Sequence, residues 1–456
     1  MNGGAFTPGV YAILSGSGVT AATGEKFTFS TGGETYAWSA VGNTLVLTVG
    51  TIPGNRWTGV AGDGSMANGN NWAGGSAPDS STIPDFSDVK IATTINANIA
   101  DTTFSSVTMG TGVISFTGAL TATSFSNLSK LAVGANGTVT IDNNLSFTGA
   151  GPKYLCNSVA AGGKLRITGT LYIAHSSGDF YFTQNNSEGA VVVDGLITIN
   201  TAKWVVLSAK ALVLGPDGIS LSQNSTFFLN WNNPTIYSLG ASTVIGTKGA
   251  GGKYCTNSSL TFCTTQFGSD QPATITFTGK IGGRSSYWNG VAVTGCGRFD
   301  FVSGSYIDRA LTVSGEATVS MNPGMSFAAG DQALTFNSGT TLEVSASGTL
   351  TLGYNTTTIK SGAMLGFNFT DEATAPLLTV ASGKTSSLPA TLDVKVTAAD
   401  GLQPKGGKYT LTRAMNFTGK TVNLVDKPKW VKSIEVDEGG NLLLTAIPKG
   451  FIIIVK

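Results

Sequence analysis

The sequence predicts an all-β fold, an elongated right-handed β-solenoid (β-helix) with small β-caps at both ends. Three observations carry this expectation. Helical periodicity is nearly absent, and between about residues 90 and 400 the chain reads as short alternating strands separated by Gly, Asn, Ser and Asp. Each strand offers only two or three inward residues, too few to close a sandwich, so its core must come from turns stacked above and below it. The chain also carries the same small unit at both ends, as a modular protein does and an enzyme built round one cleft does not.

Residues 1–50 are the N-terminal cap unit. Residues 9–49 lie on residues 407–447 with one constant offset: Gly9, Tyr11 and Ile13 fall on Gly407, Tyr409 and Leu411, and Gly42, Asn43, Leu45, Val46 and Val49 fall on Gly440, Asn441, Leu443, Leu444 and Ile447. Aromatic pairs, Tyr36 with Trp38 and Tyr409 with Trp430, supply apolar area to each. Residues 51–90 are a Trp/Gly-rich entry segment. Residues 91–400 are the solenoid. In GLITINT (195–201) Ile197 and Ile199 share one face, and in TTLEVSASGTLTLG (340–353) Leu342 with Val344 and Leu350 with Leu352 do the same. A turn of roughly 20 to 25 residues fits this spacing, with Gly and Asn at corners where the backbone visits positive φ.

Residues 401–456 are the C-terminal cap unit and a terminal strand. Exposed ends are a hazard for a stack of strands, because unpaired edges recruit other strands. Simple capping answers it. The sharper expectation is joining: Phe451, Ile452, Ile453, Ile454 and Val455, in GFIIIVK, pair with the edge of another chain. That run is far too short to cross a bilayer, which takes roughly 20 residues.

Composition narrows the function classes. There are 61 glycines and only 12% charged residues, and 27 basic against 26 acidic side chains give a net charge of +1. No long-range field exists to steer a phosphate backbone or an anionic membrane, so neither nucleic acid nor membrane insertion is expected. Solubility then comes from hydroxyl and amide groups, which suits an extracellular or bacterial cell-surface protein. MNGGAFTPGV has neither the basic start nor the apolar core of a signal peptide, so residues 1–456 are read as a mature or partial chain.

With one histidine, His175, and four cysteines in no CxxC pair, a zinc site has almost no ligands to draw on, and no cofactor is expected. Cys156, Cys255, Cys263 and Cys296 are left as candidate disulfide partners or buried thiols. GAGPKYLCNS (149–158) and GAGGKYCTNS (249–258) put Cys156 and Cys255 at related corners.

The entry segment, RWTGVAGDGSMANGNNWAGGSAPDSSTIPDFSDVKI (56–91), sets Trp57 and Trp72 about a Gly/Asn/Asp-rich loop, followed by Pro78, Asp85, Phe86 and Asp88. It resembles the W-x-G…GDG…NW…P…D segment that precedes the strand repeats of bacterial autotransporter-associated β-strand proteins. The match covers about 36 residues, and the rest of the chain agrees with that family in style. The resemblance implies a secreted, passenger-like structural role and no particular activity. By their own chemistry, Trp57 and Trp72 are either candidate carbohydrate contacts, offering flat faces to sugar rings, or a seal on the first open turn; the seal is favoured. Asp63, Asp85 and Asp88 have oxygen ligands for calcium, but their spacing fits no standard loop, and solvated turn residues are the preferred reading.

Catalysis requires acids and bases gathered on one face of the rod. The richest group is Arg298, Asp300, Asp308 and Arg309, with Arg298 and Asp300 on one strand face and Asp308 a short loop away. A surface ion pair explains them without chemistry, so no enzyme is expected. His175 has no acid or nucleophile motif beside it, and no GxSxG, P-loop or dinucleotide fingerprint occurs. The expected function is therefore a secreted structural surface protein or adhesin, joining copies of itself head to tail into a fibre or layer. Its partners are other copies and surface glycans, and the alternative is a carbohydrate-binding or polysaccharide-cleaving β-helix.

Overall fold

The computed structural model describes residues 9–15, 27–31, 34–41, 44–49, 53–99, 101–150, 154–176, 178–201, 204–222, 225–229, 233–247, 253–256, 259–283, 290–327 and 331–448. Among them the only helical segments are two short 3-10 turns, Gly69–Asn71 and Leu128–Lys130. The rest is strand and turn, and the fold is a β-solenoid of parallel strands stacked in several sheets. Two compact units divide the chain: residues 1–145, 151–170 and 180–192, and residues 146–150, 171–179 and 193–456.

The first unit opens with an antiparallel sheet in the order Gly9–Ser15, Thr44–Val49, Glu34–Val41, Phe27–Thr31. The coil follows. One parallel ladder runs Thr93–Asn96, Ile114–Thr117, Leu131–Val133, Ser158–Val159. Beside it run Thr103–Phe104, Ala119–Ala122, Thr138–Ile141 and Lys164–Ile167. The inward residues Ile114, Phe116, Val139, Leu165 and Ile167 are buried.

The second unit holds a longer ladder. From Leu171–His175 it passes through Ile197–Ile199, Ile219–Leu221, Ser242–Thr247, Thr274–Thr278, Arg298–Phe301, Thr318–Met321, Thr341–Val344, Met364–Phe369 and Thr391–Ala398 to Thr421–Val425. Ile197, Ile199, Leu342, Val344, Leu350 and Leu352 are all fully buried, as the alternation requires. Turn length varies more than the expected 20 to 25 residues. Arg298 pairs with Thr318, 20 positions on, whereas Ser242 pairs with Thr274, 32 positions on. The longer turn contains an excursion closed by an antiparallel bridge between Thr265 and Pro272.

Aromatic rings fill this interior: Phe299 lies 4.8 Å from both Phe262 and Phe301, and Phe277 lies 5.6 Å from Tyr254. Tyr254 is fully buried, and its phenol donates to the Gly246 carbonyl at 2.8 Å. Corners need special backbone. Gly218 has φ +65°, and a Cβ there would stand 1.7 Å from the Val244 carbonyl oxygen, so the next turn packs where a side chain would be. Buried hydroxyls satisfy the corner backbone: the Thr201 amide donates to Ser225 Oγ at 3.1 Å, and Thr201 Oγ1 donates to the His175 carbonyl at 2.7 Å.

The coil does not stop at residue 400. Thr412–Arg413 pairs parallel with Pro376–Val380, and Thr421–Val425 pairs with Thr391–Ala398. Around these last coil strands the C-terminal unit builds an antiparallel sheet in the order Gly407–Thr410, Leu442–Ala446, Val431–Val436. The duplicated ends thus share one plan, with the last strand of the unit between the first and a later one. Their registers differ by one residue. Tyr11 faces Leu47, whereas Tyr409 faces Leu444, the counterpart of Val46.

Candidate functional site

The entry segment is a packed aromatic cluster. Trp57 and Trp72 meet edge to face at 5.1 Å, both lie within 5.6 Å of Phe86, and Phe86 in turn lies 5.6 Å from Phe116 on a coil strand. Trp57 is 5% exposed and Trp72 3%, so neither indole offers an open face to a sugar ring. Trp72 Nε1 donates to the Met66 carbonyl at 2.8 Å. The cluster seals the start of the coil. A shallow cleft of about 320 Å³ opens beside Trp72, lined also by Asn55, Ser76, Pro78 and Asp79.

Asp63, Asp85 and Asp88 are not gathered. Arg56 takes up Asp85 at 3.0 Å and Asp88 at 3.2 Å. Asp63 instead accepts from the side chains of Asn68 and Asn71 and from the Ser65 amide. These bonds, Asn68 first, hold its carboxyl below the ordinary aspartate range. Among the described residues no three His, Cys, Asp or Glu side chains cluster as a metal site would require.

The charged network on the coil lies in the second unit. Arg298 and Asp300 point outward from one strand, on either side of the inward Phe299. Arg298 bonds Asp300 through Nε, and its other nitrogens reach Glu343 and, at 2.7 Å, Ser320 Oγ. Register explains the gathering, because Asp300, Ser320 and Glu343 are successive rungs of one row. Burial is the largest influence on Asp300 and raises its carboxyl, against the pull of Arg298. Chemically this is a half-buried guanidinium clamped between two carboxylates. Glu343 and Ser320 were not foreseen, since only the turn lengths bring them beside Arg298. Asp308 forms an ion pair with its neighbour Arg309 at 3.3 Å.

His175 is 2% exposed. All four cysteines are free thiols, so no disulfide links them; Cys156 and Cys255 are buried, and burial pushes the Cys156 thiol far up. The strand Phe451–Val455, expected to mediate assembly, lies outside the described residues.

The C-terminal unit packs against the last turns of the coil. Phe369, at the end of its strand, is fully buried between Tyr409 at 5.4 Å and Trp430 at 5.5 Å. Leu411, Met415 and Phe417 are buried with it, and Ser386 Oγ donates to the Met415 carbonyl at 3.0 Å. Its own edges are guarded by charge. Lys408 pairs with Glu435 at 3.0 Å across the sheet, and the register slips between Val431 and Ser433. No family model matches this chain, and neither a curated protein nor a solved structure does.

Proposed function

We propose that the chain is an exported structural element of a bacterial cell surface, acting mechanically and without catalysis, and that copies join head to tail into a fibre or layer. The observation that carries this reading is the in-register stack of parallel strands, in which one backbone ladder runs from Leu171 to Val425 over an apolar interior. Such a ladder resists bending and stretching because each turn is bonded to the next along its length. Low charge, a hydroxyl- and amide-rich surface and the tryptophan segment at 56–91 support the surface location.

Light scattering after size exclusion, together with electron microscopy of the purified full chain, tests assembly. Multimers or fibres are expected, and a strictly monomeric particle at all concentrations counts against it.

A second reading is favoured by one observation, the Arg298, Asp300 and Glu343 network on an outward sheet face. It is a carbohydrate-binding or polysaccharide-cleaving β-helix. Incubation with a panel of acidic polysaccharides, read by unsaturated products or a mobility shift, separates the two. Turnover that disappears in Asp300→Ala would replace the structural reading.

A further inference from the structure

The far edge of the long ladder in the second unit is unfinished. Its last strand, Thr421–Val425, pairs with Thr391–Ala398, Val422 standing on Leu392 and Leu424 on Val394. Leu392 and Val394 are 1% and 0% exposed, whereas Val422 and Leu424 are only half-buried. Inward residues one turn earlier are covered by a further strand, and among the described residues no strand lies over these. The strand reads TVNLV, with no charge and no proline, and its pairing runs in unbroken register. That contrasts with the lysines and the register slip on the neighbouring antiparallel sheet, and an uncharged, regular edge of this kind invites another strand.

We propose that this edge is the acceptor for Phe451–Val455 of a second copy, entering parallel and in register so that Phe451 faces Thr421 and Val455 faces Val425. The proposal rests on the assembly reading above and names its contact. Five apolar residues match the five of the edge, and Ile452 and Ile454 would cover Val422 and Leu424. Charge selects the direction. Parallel pairing sets Lys456 beside Asp426, a carboxylate that Lys395 also holds at 2.9 Å, whereas antiparallel pairing sets it opposite Lys420.

Geometry selects the second copy as the source. The Phe417 amide donates to the Gly440 carbonyl, near the start of the edge strand, while the Ile447 amide donates to the Trp430 carbonyl, beyond its end. The chain therefore leaves Leu442–Ala446 on the Val425 side. A parallel entry must begin at Thr421, about 13 Å back from Val425 over four residue steps and farther still from Pro448, whereas the three steps from Pro448 to Phe451 span at most about 11 Å.

Disulfide trapping tests this in a full chain carrying Cys156→Ala, Cys255→Ala, Cys263→Ser and Cys296→Ser. Thr421→Cys with Phe451→Cys is expected to give a ladder of covalently linked multimers on non-reducing gels, and Thr421→Cys with Val455→Cys is not. A link formed within one chain by the 421/455 pair overturns the proposal in favour of self-closure. Multimers that neither pair can trap overturn the acceptor edge while leaving assembly standing, and a monomeric wild type overturns the assembly reading itself. Should the cysteine-free chain not fold, Val422→Lys in the natural background serves instead. It is expected to abolish multimers with circular dichroism unchanged, and persistent multimers overturn the proposal.

Discussion

Phe299 and Asp300 are neighbours in sequence and belong to opposite sides of one strand. Phe299 is fully buried among Phe262, Phe277 and Phe301, so truncating it leaves a cavity that rigid backbone ladders cannot collapse. Phe299→Ala should cost about 3 to 5 kcal/mol, read from urea unfolding, while Phe299→Leu should cost distinctly less. Asp300 behaves differently because its carboxyl is raised, chiefly by burial. The folded state then holds this proton at pH values where the unfolded chain, near about 3.9, has released it. Stability contributed by that proton is lost as pH rises through the window above the unfolded value. Asp300→Asn lacks the titration, so the wild type should lose denaturant midpoint relative to the variant as pH rises from about 4. Parallel curves for the two proteins would remove Asp300 from the account.

At the scale of the element, what could be read beforehand was the face of each residue. Alternation in a strand depends only on local sequence, and it correctly assigned Ile197, Ile199, Leu342 and Val344 to the interior. Which strand residues become neighbours depends on turn length, which varies from 20 to 32 residues along one ladder. For that reason Glu343 escaped notice although Arg298 and Asp300 did not. The same dependence placed the coil's end at residue 400 when its ladder runs on to Val425, because the last coil strand is embedded in what reads as the cap. Corners were legible as a class, since Gly is the residue that tolerates positive φ, but not one by one. Gly218 illustrates the stakes: a methyl group there would strike the Val244 carbonyl as well as strain φ. Gly218→Ala should lower stability by at least about 1 to 3 kcal/mol, measured by calorimetry, whereas Gly268→Ala, where no atom lies within 4 Å of the added carbon, should cost less.

At the scale of the whole molecule, a solenoid stores its stability between adjacent turns, and a defect should therefore be felt by neighbours before it is felt at a distance. The C-terminal unit offers the sharpest case. Its antiparallel sheet is anchored to the coil by Phe369 between Tyr409 and Trp430, with the single Tyr409 hydroxyl proton shared between the Lys405 carbonyl at 2.7 Å and the Glu372 carbonyl at 3.0 Å. Removing the anchor in Phe369→Ala deletes both ring contacts without touching the ladder bonds on Met364–Phe369. Hydrogen exchange should then accelerate over Gly407–Thr410 and Leu442–Ala446, and by a smaller factor over Thr421–Val425, while Ile197–Ile199 and Ile219–Leu221 keep wild-type protection. The contrast between these segments is the measurement, since each strand serves as a control for the next. A uniform loss of protection along the chain would mean that the turns unfold as one cooperative body, and the argument that each layer is supported by its immediate neighbours would not hold.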